Sequence, residues 1–123
     1  MKTILIVDDM VEIRELIRVT LEMEDYQLSM AENGGQALEL AFSHPPDLIL
    51  LDVKMPEGPD GIEVCRRLKT DSRTRNVPVF LLTSGGQEVD VEIGFQAGAD
   101  AYLVKPFSPL NLLNKVKAQL DPQ

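Results

Sequence analysis

The stretch TILIVDDM, residues 3–10, carries the first signal of the fold. Four consecutive apolar residues, 4–7, run directly into Asp8 and Asp9. A run that is apolar at every position, rather than at alternate ones, is typical of a strand covered on both faces of a parallel sheet. The two aspartates either cap a following helix, whose dipole favours an anion, or belong to a site that uses negative charge.

Similar apolar runs recur along the chain, and helical patterns separate them. The predicted strands are TILIV (3–7), LSMA (28–31), DLILLD (47–52), VPVFLL (77–82) and AYLV (101–104). Apolar residues at helical spacing predict helices over 10–23, 35–42, 61–69, 87–97 and 109–120. Alternating strands and helices indicate βαβ units with parallel strands and right-handed crossovers. We therefore predict an α/β fold, a three-layer (βα)5 sandwich whose five-stranded parallel sheet carries helices on both faces.

Helical spacing also predicts which side chains enter the core. The first helix is expected to bury Ile13, Leu16, Ile17 and Leu21. In the fourth helix, Val89 and Ile93 stand one turn apart and form a weaker stripe. Cys65 lies on the apolar face of the third helix and is expected to be a small core residue. Ser108 and Pro109 form a helix start signal, a cap followed by a proline at the first helical position.

Length, charge and composition exclude several classes of function. The 123 residues suit one domain with a sizeable core, and we assign 1–123 to a single domain. A formal net charge of −8 disfavours direct binding to nucleic acid or to anionic lipid. No apolar run approaches the roughly 18 residues of a membrane span, and no signal peptide is visible. A single cysteine excludes an internal disulfide, so we expect a cytoplasmic protein without a membrane or nucleic-acid partner.

The predicted strands end in residues that can carry chemistry. They are Asp8 and Asp9 after the first strand, Asp52 at the third, Thr83 and Ser84 after the fourth, and Lys105 and Pro106 after the fifth. In such sheets ligands bind at the carboxyl ends of the strands. If the first and third strands are neighbours, the three carboxylates converge, and two like charges about 4 Å apart repel by roughly 4 kcal/mol at an effective dielectric near 20. A hard divalent cation would offset this repulsion, and Mg²⁺ is the common choice where phosphate is also handled.

Each of these residues also has an ordinary structural explanation. One of the paired aspartates could cap the first helix, and Asp52 could be a turn residue. Thr83 could cap a helix, and Lys105 could be a solvated surface lysine. Taken singly, most of them fit such explanations. Because all of them stand at strand ends on the same edge of the sheet, we favour a functional site.

Four motifs together resemble the receiver domain of bacterial two-component response regulators. They are ILIVDD (4–9), DLILLDVKMP (47–56), PVFLLTS (78–84) and GADAYLVKPF (98–107). The resemblance covers essentially the whole chain, and the chemotaxis regulators are among the proteins that this chain resembles. It implies the flavodoxin-like strand order 2-1-3-4-5.

The resemblance implies a role for each residue of the predicted site. Asp52 would accept a phosphoryl group from a sensor histidine kinase or a histidine phosphotransfer protein. The Mg²⁺ ligands would be Asp8, Asp9, Asp52 and the backbone carbonyl of Lys54. Thr83 and Lys105 would contact the phosphoryl group, Tyr102 would change rotamer on activation, and the Lys105–Pro106 peptide bond would be cis.

The implied function is a two-state signalling switch. Phosphorylation would remodel the face formed by the fourth helix, fifth strand and fifth helix, and so control an effector protein or an output domain. Apart from its own phosphorylation and slow dephosphorylation, we expect no enzymatic activity. Opposite charges on helix four (Glu88, Asp90, Glu92) and helix five (Lys115, Lys117) either pair in a phosphorylation-dependent homodimer or face water.

The loop after Asp52 departs from the family's pattern. In MPEGPDG (55–61), three residues rather than two separate MP from DG. We expect the extra residue to alter the rim of the site without abolishing phosphorylation. Lys54, a basic residue at this rim, would screen the acidic pocket or pair with Glu88.

Three other functions stay open on the sequence. A phosphorylation-independent adaptor on a receiver scaffold usually lacks parts of the site, all of which are present here. A phosphohydrolase of the haloacid dehalogenase type needs a second aspartate two residues after its nucleophile, where this chain has Met10 or Val11. A flavodoxin-like electron carrier needs a phosphate-cradling loop after the first strand, and two aspartates would repel phosphate.

Overall fold

The computed structural model describes residues 1–84 and 88–121, without the side chains of 88–91, and strands alternate with helices throughout. The strands are β1 (Lys2–Val7), β2 (Tyr26–Ala31), β3 (Leu48–Asp52), β4 (Val79–Ser84) and β5 (Ala101–Lys105). The helices are α1 (Val11–Leu21), α2 (Gly34–Ser43), α3 (Gly61–Thr70), α4 (Glu88–Gln96) and α5 (Pro109–Leu120). Each predicted strand and helix is therefore confirmed, with ends that differ by a few residues.

The strands form one parallel sheet in the order β2-β1-β3-β4-β5. This confirms the predicted α/β class and the strand order that the family resemblance implied. Val7 pairs with Leu51, so Asp8 and Asp52 follow at the same level on neighbouring strands. The register therefore brings the first and third strand ends together at one edge of the sheet.

Both faces of the sheet are buried, which explains why the strands are apolar at consecutive positions. One face packs Leu5, Ile49, Leu51, Val79 and Leu81 against residues of α2, of α3 and of the turn that follows α4. The other packs Ile4, Ile6, Leu48, Leu50, Phe80 and Leu82 against α1 and α5. Because successive side chains of a strand point to opposite faces, a covered sheet needs an apolar residue at every position.

Two side chains that the helical pattern assigned to the core are exposed instead. Leu16 is 39% exposed, because α1 turns Ile17, Thr20 and Leu21 toward the sheet. Ile93 is also 39% exposed, because α4 approaches the sheet through Gly94. A Cβ atom at Gly94 would lie 2.5 Å from Leu81 Cδ1, so the helix packs more closely there than a larger residue allows. The predicted partner of Ile93, Val89, lies outside the side chains that the structure describes.

The N-termini of the helices show which polar side chains accept hydrogen bonds from backbone amides. Ser108 Oγ accepts a hydrogen bond from the amide of Asn111, as its predicted role as the cap of α5 requires. The N-cap of α1 is Met10, whose side chain makes no capping hydrogen bond. Neither Asp8 nor Asp9 is therefore the N-cap residue of α1, although Asp8 Oδ1 accepts from the amide of Met10 at 2.9 Å.

None of the helices described is long and apolar enough to cross a membrane.

The first residue of α3, Gly61, lies directly against the end of β3. Its amide donates to the carbonyl of Val53 at 2.8 Å. A Cβ atom at Gly61 would lie 2.1 Å from the carbonyl oxygen of Asp52, which is backbone and cannot rotate away. Only glycine therefore lets α3 begin this close to the strand that ends in Asp52.

We expect Gly61→Ala to lower the free energy of unfolding by about 1–3 kcal/mol, the usual cost of forcing extra atoms into a packed site. Urea unfolding followed by circular dichroism measures it. Gly35→Ala is the matched control in the first turn of α2, where a Cβ atom would meet only Asn33 Oδ1 at 3.4 Å. Equal stabilities for the two variants would contradict this account of α3.

Cys65 is fully buried on α3, as predicted, and its Sγ lies 3.7 Å from the carbonyl oxygen of Ala97. Burial raises the pKa of the Cys65 thiol to about 11. Because the thiolate is the reactive form, a raised pKa and burial both slow modification.

We expect the native protein to react with a disulfide reagent at pH 8 at least about 100-fold more slowly than the urea-unfolded chain, because fewer thiols are ionised and exposed. The absorbance of the released thiol follows the reaction, and the chain's single cysteine makes the signal unambiguous. Equal rates for native and unfolded protein would be inconsistent with a core position for Cys65.

Candidate functional site

Three carboxylates meet at the carboxyl edge of the sheet. Asp8 and Asp9 follow β1, and Asp52 is the last residue of β3. One oxygen from each of the three lies within 4.8 Å of the others. Asp8 is completely buried and Asp52 is 4% exposed, whereas Asp9 faces solvent. The site therefore has a buried floor of two carboxylates and a third at its opening.

Lys105, the last residue of β5, links the two buried carboxylates. Its Nζ donates to Asp8 Oδ2 at 2.7 Å and to Asp52 Oδ1 at 3.1 Å. One ammonium thus faces three carboxylates, and the cluster as a whole carries excess negative charge. The peptide bond between Lys105 and Pro106 is cis, as the family resemblance implied.

The pKa values of these groups reflect burial and the charges around them. Burial, together with the neighbouring Asp8 carboxylate, raises the pKa of Asp52 to about 6, although Lys105 opposes this. Burial alone would lower the pKa of Lys105, but its hydrogen bond to Asp8 and the nearby carboxylate charges raise it above its ordinary value. The ionised Asp52 is therefore costly in this pocket, and added positive charge would stabilise it.

Thr83 stands one position beyond Leu82, the β4 residue that pairs with Asp52. The side chain is buried, and its Oγ1 has no hydrogen-bond partner among the residues described. A buried hydroxyl without a partner costs about 1–3 kcal/mol. Thr83 therefore offers an unused donor beside the acidic cluster.

Tyr102 lies on β5 at the outer face of the sheet's edge and is 36% exposed. Its ring meets that of Phe95 on α4 edge to face, with 5.7 Å between the ring centroids. The two aromatic rings form part of a surface that also exposes Ile93 and Val104. The structure thus places the Tyr102 ring partly exposed and against Phe95.

The loop after β3 forms the rim of the site. Lys54 is exposed and lines a groove of about 690 Å³ together with Met55, Pro56, Ile62 and Ile93. The pairing of Lys54 with Glu88 falls on a side chain outside the described residues. Glu57, from the stretch with the extra residue, lines a separate cleft with Asp9, so the altered loop adds a carboxylate near the opening.

One contact at the site was not predicted from the sequence. Arg14 Nη1 donates to the backbone carbonyl of Asp8 at 2.6 Å. In the sequence, Arg14 is one of several charged residues on the polar side of an amphipathic pattern. No spacing rule distinguishes it from Arg18, which instead pairs with Glu15 and Glu22 on the helix surface.

Comparison with known proteins places this architecture in one family. The sequence profile of the response regulator receiver domain matches residues 4–117. The phosphate regulon transcriptional regulatory protein PhoB of Pseudomonas aeruginosa is 50% identical over 119 residues, which cover 97% of this chain and 52% of that protein. The transcriptional regulatory protein ResD of Bacillus subtilis is 48% identical over 117 residues, covering 95% and 47%. The chain thus spans about half the length of these curated relatives.

The solved structures agree with the sequence matches. Chemotaxis protein CheY4 of Vibrio cholerae superimposes with a TM-score of 0.91 at 32% identity, and the match covers 98% of this chain and 99% of that one. The match therefore covers nearly the full length of both chains. This chain therefore belongs to the family of response regulator receiver domains.

Proposed function

We propose that this receiver domain is a phosphorylation-dependent switch in which Asp52 is the phosphoacceptor. The phosphoryl group would come from a sensor histidine kinase or a histidine phosphotransfer protein, in a reaction that requires Mg²⁺. The observation that supports this most directly is the position of Asp52, buried close to the carboxylates of Asp8 and Asp9 and hydrogen-bonded to Lys105. A carboxylate in this position can act as a nucleophile toward phosphorus.

For this transfer the protein needs to do little more than position the reacting groups and stabilise negative charge on the phosphoryl oxygens. A carboxylate oxygen of Asp52 forms a bond to phosphorus while the bond from phosphorus to the donor imidazole nitrogen breaks, and the imidazole leaves. Lys105, already within hydrogen-bond distance of Asp52, would stabilise the negative charge of the transferred oxygens. The product is an acyl phosphate, whose slow hydrolysis would reset the switch.

The donor set at the site fits Mg²⁺. Three carboxylates with a single ammonium leave excess negative charge, and hard oxygen ligands suit this ion. Asp8, Asp9, Asp52 and the backbone carbonyl of Lys54 are the residues that would hold it. When bound, the ion supplies positive charge that offsets repulsion between the carboxylates and the incoming phosphoryl group.

Thr83 and Tyr102 would convert phosphorylation into a change of surface. The free hydroxyl of Thr83 would donate to a phosphoryl oxygen on Asp52, and movement of this side chain would leave room for the Tyr102 ring to turn inward. The face of α4, β5 and α5 would change with it and so control an effector or output domain. The two curated relatives are named as transcriptional regulatory proteins, so control of transcription through another domain or protein is the output we favour.

The remaining expectations follow the same proposal. The chain would act in the cytoplasm and would catalyse only its own phosphorylation and slow dephosphorylation. A phosphorylation-dependent homodimer stays a prediction, although Lys117 already pairs with Glu24 of the same chain at 2.8 Å.

The phosphorylation-independent adaptor is the alternative function that is compatible with membership of this family. Receiver family membership speaks against a phosphohydrolase or an electron carrier.

We expect acetyl phosphate with Mg²⁺ to add one phosphoryl group to the wild-type protein and none to Asp52→Asn, because the amide is not a nucleophile of this kind. Mass spectrometry detects the product, and hydroxylamine should remove it as it removes any acyl phosphate. Removing Mg²⁺ with a chelator should abolish labelling of the wild type.

Asp25→Asn, which changes an exposed carboxylate before β2, is the matched control and should be labelled like the wild type. Labelling of Asp52→Asn, or labelling that persists without divalent cations, would contradict the proposal. Wild-type protein that takes no label yet still regulates its partner would favour the adaptor.

We expect Thr83→Val to raise the free energy of unfolding of the unphosphorylated protein by about 1 kcal/mol, because it removes a buried hydroxyl that has no partner. Phosphorylation of this variant should still occur but should no longer shift the NMR signals of Tyr102. Urea unfolding and two-dimensional NMR make the two measurements.

Thr74→Val is the matched control for stability. Thr74 is equally buried, but its Oγ1 donates to the carbonyl of Leu68 at 2.7 Å. This variant should therefore lose stability while Thr83→Val gains it. A loss of similar size in both variants would mean that the Thr83 hydroxyl is satisfied in the native protein.

A further inference from the structure

Both the backbone and the side chain of Asp8 are held by hydrogen bonds, unlike those of a residue in an ordinary loop. Its amide donates to the carbonyl of Ala31 at 3.2 Å, and its Oδ1 accepts from the amide of Met10 at 2.9 Å. Its Oδ2 accepts from Lys105, and its carbonyl accepts from Arg14 at 2.6 Å. These bonds define the short turn that joins β1 to α1.

Asp9 depends on this turn for its position. It lies between Asp8 and Met10, and its side chain is exposed. No packing from a covered surface therefore holds the Asp9 carboxylate near the two buried ones. Its distance from them, within 4.8 Å for one oxygen of each, follows from the path of the backbone through the turn.

Arg14 is the link between this turn and the body of α1. It is the fourth residue of the helix and is partly buried. The helix has no side-chain cap at its start. The guanidinium reaches back to the Asp8 carbonyl, and a hydrogen bond from a charged donor is stronger than one between neutral groups.

We propose that Arg14 is a positioning residue for the cation site: by holding the carbonyl of Asp8, it sets the turn that aims Asp9 at Asp8 and Asp52. This inference rests on the proposed function, since it assumes that these carboxylates bind Mg²⁺. Arg14 touches neither the phosphoryl group nor the ion and acts through the backbone of the ligands.

The charge of Arg14 would act in the opposite direction from its hydrogen bond. A cation close to a cation site repels a bound divalent ion, so removal of the charge alone would tighten binding of Mg²⁺ and Ca²⁺ alike. Loss of the hydrogen bond would loosen the turn and weaken binding. The weakening should be greater for Mg²⁺, which requires near-octahedral geometry with short bonds, than for Ca²⁺, which accepts irregular sites.

The experiment is a titration of the 123-residue chain with Mg²⁺ and separately with Ca²⁺, followed by amide chemical shifts in NMR. We expect Arg14→Met to weaken Mg²⁺ binding about 10-fold, within the range found when partners that orient metal ligands are removed. Ca²⁺ binding should weaken by a clearly smaller factor. Arg14→Lys keeps the charge but not the geometry of the guanidinium, so it should bind Mg²⁺ less tightly than the wild type and again lose less affinity for Ca²⁺.

Arg18→Met is the matched control, because it removes the same charge from the same helix at a residue bonded to Glu15 and Glu22. It should leave both affinities unchanged. Unchanged or tighter Mg²⁺ binding in Arg14→Met, or equal weakening for both ions, would overturn the inference. If Arg14→Met does not fold, the ratio of the two affinities in Arg14→Lys decides by the same criterion.

The result also separates this inference from the proposed function. A wild-type protein that does not bind Mg²⁺ would overturn both. A wild type that binds Mg²⁺ and is phosphorylated at Asp52, together with an Arg14→Met variant of equal affinity, would overturn only the role of Arg14.

Discussion

Repulsion among three carboxylates at one edge of a sheet is the constraint on which this receiver domain depends. Asp8 and Asp52 are almost completely withdrawn from water, so solvent screens their charges poorly. Lys105 is bonded to both, yet one ammonium cannot balance Asp8, Asp9 and Asp52 together. Removing one charge of such a buried pair leaves the other uncompensated, which is why the cluster behaves as a unit. The arrangement is stable enough to persist and attracts further positive charge.

The fold sustains this repulsion because the strands beneath it are rigid. β1 and β3 are central strands, and apolar side chains cover them on both faces. The site is therefore built on the most deeply packed part of the molecule. The opposite holds for the surface around α4, where small residues make the contact with the sheet and Ile93 and Phe95 are exposed. The chemical centre therefore lies on the covered strands, and the exposed apolar side chains of α4 lie outside it.

Much of this could be predicted from the sequence, for reasons that particular residues make clear. Runs such as residues 4–7 and 48–51 are apolar at every position, a pattern typical of strands in a parallel sheet that is covered on both faces. The acidic and basic residues at the strand ends were then expected on one edge of the sheet, because parallel strands end on the same edge. The prediction of the strand order had another source. It came from the family resemblance, because periodicity says nothing about which strands are neighbours. The helical pattern was wrong for Leu16 and Ile93, because spacing defines a stripe but not the rotation of the helix against the sheet.

The sequence by itself determined the alternation of strands and helices, the residues of the core strands and the chemical types that end them, because these depend on short-range periodicity and local position. Only the tertiary structure decided that Lys105 bridges Asp8 and Asp52 and that the Thr83 hydroxyl lies buried with no partner among the described residues. It also decided that Arg14, rather than Arg18, holds the turn beside the site. These contacts depend on strand register, helix rotation and side-chain reach, which are set by the packing of the whole domain and leave no periodic trace in the chain.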